Sequence, residues 1–307
     1  MVVHEHKHYH AQEYGTNRNA LTLALSITTL MMAVEFVGGI LSGSLALISD
    51  AGHMLTDTGA LALALFALWF SRRPATTQKT YGFYRAEILS ALLNGSVLIV
   101  IAGYIFYEAF RRFINPTEVQ GLLMLSVAAI GLVANLAGAF VLSKGSKENL
   151  NVRAALWHVL SDAFSSVGVI VGGLIILFTG IFVVDPVIGF IIGIVILRGA
   201  WRVVREAVDI LLEAIPKDIK HEAVKNTLCD VKGVRDVHDL HIWTITSGMR
   251  ALSAHVLIDD TLVSKCGSIS KELKKILREK FLIDHATLEF ECESCPEGLV
   301  CRIEKED

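Results

Sequence analysis

Histidine and aspartate are costly in an apolar helix, yet this chain writes the same pair twice. Residues 53–57 read HMLTD and residues 158–162 read HVLSD, each inside a long apolar stretch. On a helix, positions i and i+4 share a face one turn apart, so His53 points with Asp57 and His158 with Asp162. An ionisable side chain at the bilayer centre costs about 2.5–3.5 kcal/mol on insertion scales, so such a group needs a partner that offsets the cost. Two imidazoles and two carboxylates supply the N and O donors of a tetrahedral zinc site. One such pair alone is as well explained by an interhelical hydrogen bond. The matched repeat in two spans favours a metal. A zinc protease would need H-E-x-x-H, with a glutamate beside the first histidine as base. Met54 and Val159 stand there instead, so hydrolysis is poorly supported and the chain is not read as an enzyme.

The elements that must hold these residues are membrane helices. Hydrophobic residues make up 53% of the chain and charged residues 19%, too apolar for an ordinary soluble protein. The net charge of −3 gives no support to nucleic-acid binding. A spanning helix needs about 20 mostly apolar residues. Candidate spans are Leu21–Leu41, Leu45–Phe70, Ala86–Phe110, Leu122–Leu142, Ala154–Phe178 and Ile181–Leu197. The last is short, so a tilt or an extension at its C-terminal flank is expected. The N-terminus, MVVHEHKHYHAQEYG, is polar and does not read as a cleavable signal. Arg72, Arg73, Lys79 and Arg85 follow span 2; Lys144, Lys147 and Arg153 follow span 4; Arg198, Arg202 and Arg205 follow span 6. By the positive-inside rule both termini are cytoplasmic. Arg111 and Arg112 disagree, and Glu108 and Glu118 are the nearby groups that would offset them.

From about Lys217 onward the chain is rich in charge. PKDIKHEAVKNTLCDVKGV reads as an amphipathic helix. VRDVHDLHIWTIT and RALSAHVLID read as strands joined at Ser247-Gly248. LVSKCGSISKELKKILREKF reads as a second helix and HATLEFE as a third strand. The order αββαβ predicts a small open-faced sandwich with its helices on one face. The expected division is a histidine-containing tail over 1–18, a six-helix transmembrane domain over 19–200, a linker helix over 201–215 and a cytosolic domain over 216–307. All five cysteines fall late in the chain: Cys229, Cys266, Cys292, Cys295 and Cys301. An odd number there argues against a disulfide framework and, in a cytosolic domain, for metal binding. Cys292 and Cys295 form a C-x-x-C, a weak signal alone. His4, His6, His8 and His10 suit either metal capture or a solvated tail.

Other polar residues in the spans are weaker signals. Asp50, one turn before His53, suits an entry path or a hydrogen bond to a ligand. Glu35, Glu87, Asn94 and Asn135 read as interhelical contacts or cavity residues. Gly38-Gly39, Gly172-Gly173, Gly189 and Gly193 read as close helix packing.

SLALISDAGHMLTD, YGFYRAEILSALLNG, AALWHVLSDAFSSVGVI and VHDLHIWTITSGMRALSAHV resemble segments of the cation diffusion facilitators, in particular their zinc-transporting branch. The resemblance covers nearly the whole chain. It implies an α-helical polytopic membrane protein with six transmembrane helices and a C-terminal cytosolic α+β, ferredoxin-like domain. It also implies a homodimer that exports cytosolic Zn2+ in exchange for protons by alternating access, with Cd2+ or Co2+ as further substrates. The family's transport ligands fall on His53, Asp57, His158 and Asp162. Its cytosolic metal positions fall on His238, His255 and Glu291, and a histidine that starts the last strand falls on His285. Many relatives have Gln where this chain has Glu289. His241 reads as a strand residue by alternation. Zinc in this domain would be structural or regulatory. A non-transporting membrane sensor or buffer is the alternative function, but a sensor would need only the tail. The compact chain, with no long histidine-rich loop between spans 4 and 5, suggests a bacterial plasma membrane.

Overall fold

The computed structural model describes the backbone of residues 14–71, 73, 76–143 and 150–293. Within these, side chains are described except at 14–25, Asp57, 60–69, 71, 141–142, 150–155, 157 and 158. The tail histidines His4 to His10 and Cys295 therefore lie outside the described residues.

Long apolar runs broken by Gly, Pro and charge give helices, because in a helix every backbone group bonds within its own segment. The first six are α1 (Tyr14–Ser42), α2 (Leu45–Ser71), α3 (Ala86–Ile114), α4 (Gly121–Ser143), α5 (Leu150–Thr179) and α6 (Val184–Leu211). Over the described residues, Ala86–Ile114, Gly121–Phe140, Val159–Thr179 and Val184–Leu211 are long and apolar enough to cross a bilayer, and Ser26–Ser42 is a shorter apolar stretch. The sixth helix is longer than the apolar run alone suggests. It continues unbroken through Arg198, Arg202 and Arg205 to Leu211.

Two units pack separately: residues 1–65 with 93–203, and residues 66–92 with 204–307. The first is built on a core of Ala46, Leu47, Leu98, Ile105, Met124, Val169 and Ile196. Small residues let its helices approach closely. A Cβ on Gly121 of α4 would stand 3.3 Å from the Leu177 backbone nitrogen and 3.4 Å from the Gly173 carbonyl of α5. Large apolar side chains point outward instead, among them Val100, Phe110, Val133, Phe140 and Phe178. That distribution is wrong for water and right for lipid.

Arg111 and Arg112 are held by Glu108, as the sequence suggests: Arg111 Nε and Arg112 Nε donate to its carboxylate at 2.9 and 2.7 Å. The second carboxylate near Arg112 is Asp185 at 3.6 Å. Asp185 is wholly buried. It accepts hydrogen bonds from Ser44 Oγ at 2.5 Å and from the Leu45 and Ala46 N–H groups at 2.7 and 3.1 Å. A side chain of α6 thus satisfies the orphan donors at the N-terminus of α2, where a negative charge is favoured.

The second unit contains α7 (His221–Cys229), β1 (Val234–Thr246), β2 (Met249–Ile258), α8 (Val263–Phe281) and β3 (Ile283–Glu291). The sheet order is β1-β2-β3, with β1 and β2 antiparallel and β2 and β3 parallel. A parallel pair needs a crossover, and α8 supplies it. Val224 and Leu228 of α7 and Leu273 and Leu277 of α8 cover one face of the sheet, against Val237, Leu252, Val256 and Ile283. Gly248 turns the hairpin at φ +77°, a conformation that suits glycine. Glu87, at the start of α3, is not an interhelical contact: it accepts from Thr246 Oγ1 and, at 2.7 Å, from Ser247 Oγ.

Candidate metal centres

The first centre is built from α2 and α5. His53 Nε2 lies 3.8 Å from Asp162 Oδ1. Asp162 is 3% exposed, while His53 is half-buried. The helices that carry the two copies of the repeat therefore bring an imidazole of one to a carboxylate of the other. Asp57 and His158 occupy the same helices four residues along and before, and their side chains lie outside the described residues. Asp50 is 3% exposed and accepts from Ser165 Oγ at 2.5 Å, so α2 and α5 meet again one turn away. Ser166 Oγ donates to the Asp162 carbonyl at 3.1 Å.

The second centre lies on the face of the sheet that the helices leave open. Alternation places Leu252, Ala254, Val256 and Ile258 toward the helices, which turns His255 the other way. Ala286, Leu288 and Phe290 pack inward, so Glu289 and Glu291 share the open face. His238 pairs directly with His255 across β1 and β2, and the rings meet edge to face at 5.4 Å. Glu291 reaches between them: Oε2 is 2.9 Å from His238 Nε2 and Oε1 is 2.7 Å from His255 Nδ1. His238 Nε2, His255 Nδ1 and Glu291 Oε2 are buried, yet none makes a hydrogen bond among the described residues. One donor atom from each residue falls within 4.8 Å of the others. Donors this close and without hydrogen-bond geometry have the form of a pocket for a cation, and the N, N, O set suits zinc.

A β-bulge, with the register shifting between His238 and His241, shapes the rim. Asp239 sits there with φ +46° and brings its carboxylate to 3.6 Å from His255 Nε2 and 3.1 Å from His241 Nε2. Glu289, opposite His255 in register, is exposed and also 3.6 Å from it. Neither Asp239 nor the bulge is legible in the sequence, because V-H-D-L-H reads as plain alternation.

His285 is not brought to this cluster. It pairs with Ala251 at the other end of β3, exposed, with its ring edge-on to Tyr81 at 5.8 Å. The reason is distance along the strand: six residues at about 3.3 Å each separate it from Glu291. Cys292 follows Glu291 as an exposed free thiol, outside the cluster. Burial, and then the charge of Asp236, push the Cys229 thiol up, and it too lies outside the cluster.

Residues 21–212 match the cation efflux transmembrane domain, and residues 216–293 match the cytoplasmic domain of cation efflux proteins. The chain belongs to the cation diffusion facilitators. Its relatives include the metal cation efflux system protein CzcD of Cupriavidus metallidurans, 42% identical over 95% of this chain and 92% of that protein. A cadmium, cobalt and zinc/H(+)-K(+) antiporter of Bacillus subtilis is 41% identical, over 93% and 92%. The zinc transporter ZitB of Escherichia coli is 40% identical, over 95% and 93%. The chain is accordingly a multi-pass membrane protein of cation efflux.

Proposed function

We propose that this protein exports cytosolic Zn2+ in exchange for protons, as a homodimer, through a site made of His53, Asp57, His158 and Asp162. All six long helices cross the membrane in this reading, both termini are cytoplasmic, and residues 216–307 form a ferredoxin-like cytosolic domain. The observation that carries it is the approach of His53 on α2 to Asp162 on α5 at 3.8 Å. The relatives named for zinc, cadmium and cobalt support the choice of cargo. Cd2+ and Co2+ are taken as further substrates because they use the same N and O donors.

The chemistry of the donors supplies the coupling. Imidazole and carboxylate bind metal only when deprotonated, so protons and zinc compete for one site. Imidazole titrates nearest to neutral pH and is assigned the proton. Expelling two positive charges against an inside-negative potential costs about 4.6 kcal/mol per 100 mV, and one entering proton offsets half of it. Access alternates as helices rock around the fixed site. The cytosolic centre, His238, His255 and Glu291, is assigned a structural or regulatory zinc.

Zinc uptake into vesicles carrying the purified protein tests the assignment. Asp162→Ala and Asp57→Ala, each removing one ligand, are expected to abolish uptake while the protein stays monodisperse in detergent. Uptake near the wild-type rate in either variant contradicts it.

A further inference from the structure

Glu35 on α1 is 1% exposed and belongs to neither centre. Its Oε2 makes no hydrogen bond among the described residues. Its Oε1 lies against Gly131 of α4, where a Cβ would stand only 2.6 Å away. The same Cβ would be 3.6 Å from Ser166 Oγ of α5, so the carboxylate and the hydroxyl look into one space between three helices. Ser166 adjoins Ser165 on α5. Asp50 is buried in turn and holds Ser165 Oγ at 2.5 Å. Two buried carboxylates beside adjoining serines of α5, in an apolar bundle, are costly unless a cation shares them.

Their depth gives the cluster a role. Asp50 precedes His53 by three residues on α2, and Ser165 follows Asp162 by three on α5. That spacing displaces both by about 4.5 Å along their helices, in the same direction. The direction is toward the start of α2 and the end of α5, which is the outer side in the orientation proposed above.

We propose that Glu35 and Asp50, with Ser165, form an oxygen-only station for a divalent cation, one helical turn outward of the histidine–aspartate site, which takes the ion during its release. The inference rests on the transport reading and deepens it. Carboxylate and hydroxyl donors hold zinc less firmly than a set containing imidazole. A station that binds well enough to accept the ion and weakly enough to lose it speeds exit. Gly131 keeps the space for the Glu35 carboxylate.

The test uses the full chain with His238→Ala and His255→Ala, which removes the cytosolic donors, and compares equilibrium Zn2+ binding in detergent with initial Zn2+ uptake into vesicles. Glu35→Gln is expected to leave the dissociation constant within about threefold of the parent. Its maximal rate should fall about tenfold or more with KM unchanged or lower, the mark of a step after binding. Gly131→Ala should reproduce the fall, and the two together should be no slower than either alone. If Glu35→Gln does not fold, Asp50→Asn must show the same separation of binding from rate. Parental uptake rates in these variants overturn the station. Loss of equilibrium binding in Glu35→Gln also overturns it, because Glu35 would then belong to the main site. Asp162→Ala serves as the separate control: if it binds and transports normally, the main site is wrong whatever Glu35 does.

Discussion

The choice of metal is decided at single side chains. His53 offers an imidazole nitrogen within 3.8 Å of the Asp162 carboxylate. Replacing that nitrogen by oxygen hardens the site. His53→Asp is therefore expected to lower zinc transport and raise manganese transport relative to it, measured by competition between the two ions in vesicles. An unchanged ratio counts against His53 as a ligand. The pentapeptide repeat made this pair visible in the sequence, because two costly residues recur at helical spacing in apolar surroundings. His238 and His255 were visible only through resemblance: 17 positions apart, they become direct neighbours once β1 and β2 pair. Asp239 was hidden, since its approach to His255 depends on a positive φ at a bulge that alternation does not announce. Glu35 was legible as a polar residue in a span, but that its Oε2 makes no hydrogen bond among the described residues is a property of packing.

Element boundaries were largely written in the apolar runs, since lipid punishes any unpaired backbone group. The αββαβ order of the tail followed from alternation and from Ser247-Gly248. What the pattern lacked were the ties between distant elements. Asp185 lies near the start of the short sixth span, yet its carboxylate receives the N-terminus of α2 from 140 residues away. It is wholly buried, and Arg112 stands 3.6 Å from it. Asp185→Ala removes three hydrogen bonds and leaves buried donors unmet, a loss of about 3 kcal/mol. The expected result is a clearly lower temperature of aggregation for the purified protein in detergent, and Asp185→Asn should recover part of it. A variant as heat-stable as the parent would show that the N-terminus of α2 has no need of this cap.

At the scale of the whole molecule, the proposed function uses zinc in two ways. One ion passes through the helices; the other would sit on the open face of the sheet, where Glu291 stands between His238 and His255. The double variant His238→Ala, His255→Ala should keep a working transport site but show lower apparent zinc affinity or a lower maximal rate. Uptake unchanged at every zinc concentration would mean that the sheet site is idle. Regulation of this kind requires the bound ion to favour one state of the transporter over another.

The central claim is that zinc leaves because protons enter at the same four ligands. The most direct measurement is proton movement into the lumen-facing dye of vesicles during zinc transport, with the purified chain as the only protein. Zinc moving through the wild type should drive protons in the opposite direction, an imposed pH gradient should accelerate it, and Asp162→Ala should lose both fluxes together. Zinc transport with no counter-movement of protons and no response to the pH gradient would contradict the account.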